Sequence, residues 1–540
     1  MAQQLNDYFG SVFTRENLTN LPKKAIETQS TLSTVIMRNS MIRDKISQLK
    51  DGSAPGPDGI CTKLLKETAH IIVDPLRIIF EKSLKEERCP KDWKKANVVP
   101  IYKKGPKGKA ENYRPVSLTS IVCKLFETII KDALCSHLTN NKLIADSQHG
   151  FMKGRSCATN LIEFFDRVTM EVDQGKAVDI FYLDFAKAFD KVPRERLMEK
   201  LKSKGICGNL LGWLRDWLTD RTQQVICEGQ LSEPTSVDSG VPQGSVLGPP
   251  LFNVFIDDID EAAALIDLIL KFADDTKGMK VIESEKDRED LQKTLDNLFE
   301  WAESWGMKFN LQKCKIMHVG RNNPGYRYQM GGVDLEEVDE ERDVGVVVHK
   351  TLKPAAQCRK AANTAMAVLS QIAKNFHFRD RHVFVRLYVQ YVRPHLEFST
   401  PAWSPWLKGD IETLENVQKK AVKMVTGLAG TTYEEKCREL GLETLEKRRW
   451  NQDMTQVFKI IHGKDKLSPT KLFRFRQESS HTRTAGDPLY LSQARARLDL
   501  RRNSFAIRVV DGWNKIDNKD KSKSISAFKN AIKNTKLPGG

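Results

Sequence analysis

The sequence predicts an α+β protein built from several domains. Three features carry that expectation: short apolar runs of strand length, long stretches with helical apolar spacing, and Pro/Gly punctuation between them. The opening "MAQQLNDYFGSVFTRENL" lacks the basic start and long apolar core of a secretory signal and predicts an amphipathic helix. "DGSAPGPDGI" (51–60) is a rigid loop, and the spacing from Leu64 through Leu84 fits two helices. "ANVVPIYKKG" (96–105) predicts a strand running into a basic turn, and "NYRPVSLTS" (112–120) precedes a helix through Ile130. "AVDIFYLDF" (177–185) is nearly continuous apolar sequence, the pattern of a strand covered on both faces, and it ends on Asp184. Ninety residues later "LILKFADD" repeats the device with Asp274 and Asp275, and residues from about 355 to 450 are rich in helical spacing.

The chain has 540 residues, enough for roughly three or four domains, and at 40% apolar residues it can fill several cores, which excludes a disordered protein. Its formal net charge of +16 favours a polyanionic partner such as nucleic acid over an unspecialised basic enzyme. Residues 491–540 carry 12 Lys/Arg against 4 Asp/Glu. That end is either a phosphate-contacting surface or a solvated, partly helical tail. The ten cysteines lie no closer together than 12 positions, at Cys123 and Cys135, so the close pairs of structural zinc sites are missing. They are expected to be reduced residues of an intracellular protein. No apolar stretch approaches the ~20 residues of a membrane helix, so no membrane partner is expected.

Why a buried-looking strand should stop on two like charges has two answers. Asp is at home in solvated turns. Alternatively, adjacent carboxylates repel unless a cation neutralises them. If the two strands pair as neighbours, Asp184 and Asp274 come together, and three carboxylates meeting there require divalent cations. Phosphoryl transfer asks for that arrangement, with two ions that activate the attacking hydroxyl and stabilise the pyrophosphate leaving group. Hard oxygen ligands suit Mg²⁺.

"YLDFAKAFDKV" (182–192), "SGVPQGSVLGPPLFNVFIDD" (239–258), "KFADDT" (271–276) and "WGMKFNLQKCKIMHVG" (305–320) stand in the order of the palm motifs of reverse transcriptases. Upstream, "APGPDGI", "NYRPVSLTS" and "SQHGFMKGRSCATNL" (147–161) resemble the finger motifs of the non-LTR, LINE-type retrotransposon branch. "VRPHLEFSTPAWSP" (392–405), "LENVQKKAVKMVTGL" (414–428) and "LGLETLEKRRW" (440–450) resemble the region C-terminal to the palm in its jockey and chicken-repeat group. The resemblance implies a right-hand polymerase with fingers, an antiparallel-sheet palm and a helical thumb. It divides the chain into a helical extension at 1–83, fingers and palm at 84–348, thumb at 349–450 and a basic helical C-terminal region at 451–540.

On this resemblance, Asp184 and Asp274 bind two Mg²⁺ ions, for which Mn²⁺ can substitute, with Asp275 beside them and the Phe185 carbonyl as an extra ligand. Phe189 matches the bulky residue under the incoming sugar, where a ring excludes a 2′-hydroxyl; without the motif it reads as a core residue on a short helix. Asp190 matches the pattern too, as a local cap or charge pair. Gly240 and Gly244 let backbone pass close to a base pair, and Gln243 supplies an amide with a donor and an acceptor. Lys103, Lys104 and Arg114 match the positions that hold the triphosphate, with Arg155 on the same surface or the template. Lys313 matches the lysine that protonates pyrophosphate, with Lys315 close enough to compete for the role. "RDVGVVVH" (342–349) fits a hairpin that steadies the primer end, and Lys419, Lys420 and Lys423 lie on a helix that either tracks a duplex or is plainly solvated.

The implied activity is RNA-directed DNA polymerisation, extending a primer 3′-hydroxyl with dNTPs on an RNA template, with a DNA primer or target as a further partner. The implied setting is a retrotransposon ribonucleoprotein of nucleus and cytoplasm. Members of the group usually carry an apurinic-type endonuclease ahead of the polymerase, for which "APGPDGI" leaves no room upstream, so self-sufficient target nicking is not expected. The alternative function is a non-catalytic nucleic-acid-binding remnant. The bulky Phe189 disfavours a third, an RNA-templated RNA polymerase.

Overall fold

The structure is a computed structural model that describes residues 1–428, 430–476, 488–533 and 535. It is a mixture of sheets and helices arranged in two compact units, each assembled from separate stretches of chain. The first comprises Met1–Phe151, Leu183–Ala264 and Lys293–Lys313; the second comprises Met152–Tyr182, Leu265–Gln292 and Cys314–Gly540. The described strands in chain order are β1 (Lys95–Tyr102), β2 (Tyr113–Leu118), β3 (Ala177–Leu183), β4 (Arg221–Cys227), β5 (Gln230–Leu231), β6 (Thr235–Val237), β7 (Leu268–Phe272), β8 (Asp275–Ile282), β9 (Lys315–Val319), β10 (Gln329–Met330), β11 (Val333–Asp334), β12 (Glu336–Glu337), β13 (Glu340–Asp343), β14 (Val346–His349), β15 (Arg474–Phe475) and β16 (Leu491–Ser492).

In the first unit the sheet runs β2-β1-β4-β5, with β6 on β4. The expected basic turn joins β1 and β2 as an antiparallel pair that sets Ile101 opposite Arg114. The opening helix is Ala2–Ser11, and it packs Leu5 and Phe9 against Val98 and Val225 of that sheet. The two helices expected near Leu64–Leu84 are Thr62–Glu67 and Ala69–Lys85. A longer helix, Ile121–Asn140, starts where the Ser120 side chain accepts from the Cys123 N–H, satisfying one orphan donor of its first turn. Its Phe126 stacks on Phe80 at 4.6 Å.

The sheet of the second unit runs β12-β9-β3-β8-β7. β3 is its centre and is buried along its whole length, as the apolar run required. The structure corrects one expectation about its neighbours. β7, the "LILKF" strand, does not lie beside β3 but forms the edge of the sheet, and β8, which begins at Asp275, fills the place between them. The close fit of β8 is visible at Gly278, where a Cβ would lie 2.3 Å from the Phe181 ring.

Most of the second unit is helical. Ala355–Asn375, Lys408–Lys423, Leu445–Ile461, Phe505–Asn514 and Ile525–Lys533 share one apolar cluster that includes Trp403, Leu414, Phe458, Trp513 and Phe528. The C-terminal region therefore contributes to this core, and part of its positive charge is internal. Arg501 reaches Asp166 at 2.6 Å, and Arg508 reaches Asp453 at 2.8 Å, all with little exposure. Those two arginines fasten the chain end rather than offer charge to a partner. No described helix is long and apolar enough to cross a membrane.

Candidate active site

Asp184 follows β3 directly and is 36% exposed. The segment after it is zipped to residues 308–310 of the first unit: Asn310 donates its N–H to the Asp184 carbonyl at 2.7 Å, and Ala186 donates to the Lys308 carbonyl at 2.9 Å. Phe185 stacks on Phe309 at 4.4 Å. This bridge uses the carbonyls of Asp184 and Lys308 and leaves the Phe185 carbonyl outside it. It also carries Lys313 to the carboxylate, with Nζ 3.0 Å from Asp184 Oδ2. Lys315 starts β9 and pairs with Glu336.

Burial lowers the pKa of Lys103, and repulsion from Arg114, Lys313 and Lys104 lowers it further, while Asp184 opposes them. Lys103 of the first unit therefore feels three positive neighbours, Arg114, Lys313 and Lys104, and one carboxylate, Asp184. Like charges crowded in this way favour an anion with several negative oxygens. Arg155 lies in the loop before the helix Cys157–Asp173 of the second unit, apart in the chain from this group.

Phe189 sits on the short helix Ala188–Lys191. Its ring stacks on Phe252 at 4.5 Å and 13° and meets Phe151 edge-on at 6.3 Å. Gln243 and Gly244 lie in the loop before the helix Gly248–Ile256. Gly244 has φ +111°, and a Cβ there would stand 2.6 Å from the Ser117 carbonyl oxygen, so only glycine lets the loop approach β2. Ser117 in turn donates its N–H to the Gln243 carbonyl at 2.7 Å.

In the second unit Ala273 and Asp274 make the connection between β7 and β8, with Phe272 opposite Asp275. Ala273 is held at φ +57°, a left-handed conformation that costs a non-glycine residue on the order of 1 kcal/mol or more. Asp275 is exposed and Asp274 half-buried. Among the described residues no group of three or more His, Cys, Asp or Glu side chains is set to hold a metal ion.

Several contributors escaped the sequence. Glu127, fully buried in the helix Ile121–Asn140, accepts from the Val246 and Leu247 N–H groups at 2.7 and 3.3 Å and so anchors the end of the Gln243 loop. Lys277 of β8 forms an ion pair with Asp343 of β13, at 4% and 6% exposure, fastening β8 to the β13–β14 hairpin. Neither could be found from local pattern, since each partner lies more than 60 positions away. The expected 342–349 hairpin is present as β13 and β14. On Lys408–Lys423, Lys419 lies 5.7 Å over the Tyr433 ring, while Lys420 and Lys423 are exposed.

Residues 101–360 match the family model described as reverse transcriptase (RNA-dependent DNA polymerase). Residues 101–360 are thus similar to a reverse transcriptase domain. The chain is 26% identical over 492 residues to the probable RNA-directed DNA polymerase from transposon BS of Drosophila melanogaster, covering 86% of this chain and 53% of that protein. It is 24% identical over 442 residues to the RNA-directed DNA polymerase from mobile element jockey of the same fly, covering 79% and 46%. The R2DM retrotransposable-element polyprotein of that fly matches at 26% over 324 residues, covering 57% and 29%. The chain thus spans about half, or less, of the length of these curated relatives. The matched segment of the reverse transcriptase domain contains every site residue described above from Lys103 to Lys313.

Proposed function

We propose that the chain is an RNA-directed DNA polymerase that extends a primer 3′-hydroxyl with dNTPs on an RNA template. The contact of Lys313 with Asp184, inside residues 101–360 that match the reverse transcriptase family model, carries this reading. In it, the β1–β2 turn and its neighbours belong to the fingers, the β3 sheet to the palm and the helices from Ala355 onward to the thumb.

Asp184, Asp274 and Asp275, with the Phe185 carbonyl, are the groups that would hold two Mg²⁺ or Mn²⁺ ions. Their hard oxygens suit those ions; β8 starting at Asp275 neighbours β3, and the Phe185 carbonyl is outside its local bridge. Bound there, the ions supply charge neutralisation on the triphosphate and activation of the primer hydroxyl. Lys103, Lys104 and Arg114 grip triphosphate oxygens, Arg155 takes template or phosphate, and Phe189 blocks a 2′-hydroxyl. Lys313 exchanges its contact with Asp184 for one with the departing pyrophosphate, to which its ammonium delivers a proton. Gln243 and Gly244 line the nascent pair, and the β13–β14 hairpin steadies the primer.

The test is extension of a primed RNA template by the purified chain with Mg²⁺ and dNTPs. Template-dependent DNA synthesis supports the reading. Folded protein that binds the primed template without extending it, in Mg²⁺ or Mn²⁺, replaces it with the non-catalytic binding reading.

A further inference from the structure

Arg501 and Arg508 turn inward, but other cations of the C-terminal region face outward beside Arg155. Within the second unit the loop "MKGRS" (152–156) meets the connector "HGKDK" (462–466) that follows the helix Leu445–Ile461. The two are joined through backbone: Lys466 donates its N–H to the Gly154 carbonyl at 2.8 Å. Gly154 has φ +77°, and a Cβ there would lie 3.0 Å from the Lys464 carbonyl oxygen and 3.2 Å from Lys466 Cγ. The Lys466 stem therefore passes directly over the glycine that separates Lys153 from Arg155. Lys153, Lys464 and Lys466 are exposed, and Arg155 is half-buried. The one carboxylate of the two loops is drawn away from them: Asp465, 14% exposed, accepts from Gln456 Nε2 at 2.8 Å and lies 3.9 Å from Lys459. Leu467, next in the chain, is buried in the helical core and fixes where the connector lies. Lysines after a helix also answer the negative end of its dipole, but that role needs no docking onto Gly154.

We propose that the 462–466 connector and the 152–156 loop form one phosphate-binding surface for the single-stranded RNA template, so that the C-terminal region completes a grip begun by Lys153 and Arg155. The inference rests on the polymerase reading and gives the chain end a part in it. Lysine is a point charge on a flexible stem and meets a phosphate without reading a base, so the surface is indifferent to sequence. Gly154 is the joint of the two loops, because any side chain there would have to push the connector away.

The experiment measures binding of the full chain to a short unstructured RNA strand and to a DNA duplex of the same length across a salt series. Each cation on a single strand adds about 0.7 to the slope of log affinity against log salt. In Lys464→Gln/Lys466→Gln the slope is expected to fall by about 1.4, so that the gap to wild type widens about 25-fold for each tenfold drop in salt. Affinity for the duplex is expected to change less than about threefold. Lys529→Gln/Lys533→Gln removes the same charge from exposed positions on the last helix and is expected to change RNA affinity less than about threefold. Gly154→Ala keeps every charge and is expected to weaken RNA binding by parting the loops; the two surface lysine changes keep the test open if that variant melts early. Unchanged RNA affinity in folded Lys464→Gln/Lys466→Gln, an equal loss in the Lys529/Lys533 pair, or an equal loss on the duplex overturns the inference while polymerase activity stands. Primer extension on the same preparations separates the two claims: a wild-type chain that binds RNA but never extends a primer removes the polymerase reading, and the template as partner with it.

Discussion

Replacing Phe189 with valine asks how firmly a single ring guards the sugar. The ring is wedged: it stacks on Phe252 at 4.5 Å and meets Phe151 at 6.3 Å. Each aromatic pair is worth about 0.5–1.5 kcal/mol beyond its buried area. A ribonucleotide that pushed the ring aside would disturb both, losing about 1–3 kcal/mol. At about 1.36 kcal/mol per tenfold, that corresponds to about 5- to 150-fold discrimination. Phe189→Val is therefore expected to raise ribonucleotide use relative to dNTP by a factor in that range, with dNTP kcat/KM changing much less. Competing single-nucleotide extension on one primed RNA template reads the ratio directly. The same change removes half-buried aromatic packing and is expected to lower stability by about 2 kcal/mol, which thermal unfolding reports separately. A ratio that stays at the wild-type value in folded Phe189→Val refutes the steric role, whatever the stability cost.

Three further perturbations probe other parts of the molecule. Lys313→Gln removes the ammonium beside Asp184 and is expected to lower single-turnover kcat about 10²-fold, the lower end for general acid catalysis, while Lys315→Gln changes it less than about threefold; equal losses would defeat the assignment. Trp513→Ala opens a cavity in the helical core of the second unit and is expected to cost about 3–5 kcal/mol in denaturant unfolding; a cost under about 1 kcal/mol would show that the C-terminal helices are not part of that core. His318 donates to the buried Asp179 at 2.6 Å: burial alone would lower its pKa, but that bond and charge raise it above 6.5. The unfolded state therefore holds fewer protons in this range, so the contribution of His318 is complete below about pH 6.5 and is lost as pH rises through the raised value. His318→Gln is expected to flatten the fall in unfolding free energy as pH rises above about 6.5; an identical slope in the variant would contradict the linkage.

β3 was legible because its apolar run is broken only by Asp179 and only a doubly covered strand buries all seven residues. Its neighbour was not, because β8, "DTKGMKVI", reads as polar: Lys277 is hidden by pairing with Asp343, 66 positions away, and Gly278 shows its purpose only against the Phe181 ring. Charge counting found the basic chain end but could not see Arg501 and Arg508 turning inward to Asp166 and Asp453. At the candidate site, motif order supplied Asp184, Phe189 and Gln243. The bonds that orient them, from Lys313 to Asp184 and from Gln243 to Asp190, span 129 and 53 positions and exist only once the chain is folded. Sequence periodicity carries information about faces of one element; it carries none about which distant side chain meets another.

Strand-end carboxylates, rather than general basic charge, are what would make this chain a polymerase. Single-turnover extension of a primed RNA template in Mg²⁺ by wild type, Asp184→Asn and Asp274→Asn tests that most directly, with template binding measured on the same preparations. The expected result is a rate loss on the order of 10³-fold or more in each variant, as for removal of a main electrostatic group, with binding kept within a few-fold. Extension by either folded variant at the wild-type rate would contradict the assignment of the carboxylates and the mechanism built on them.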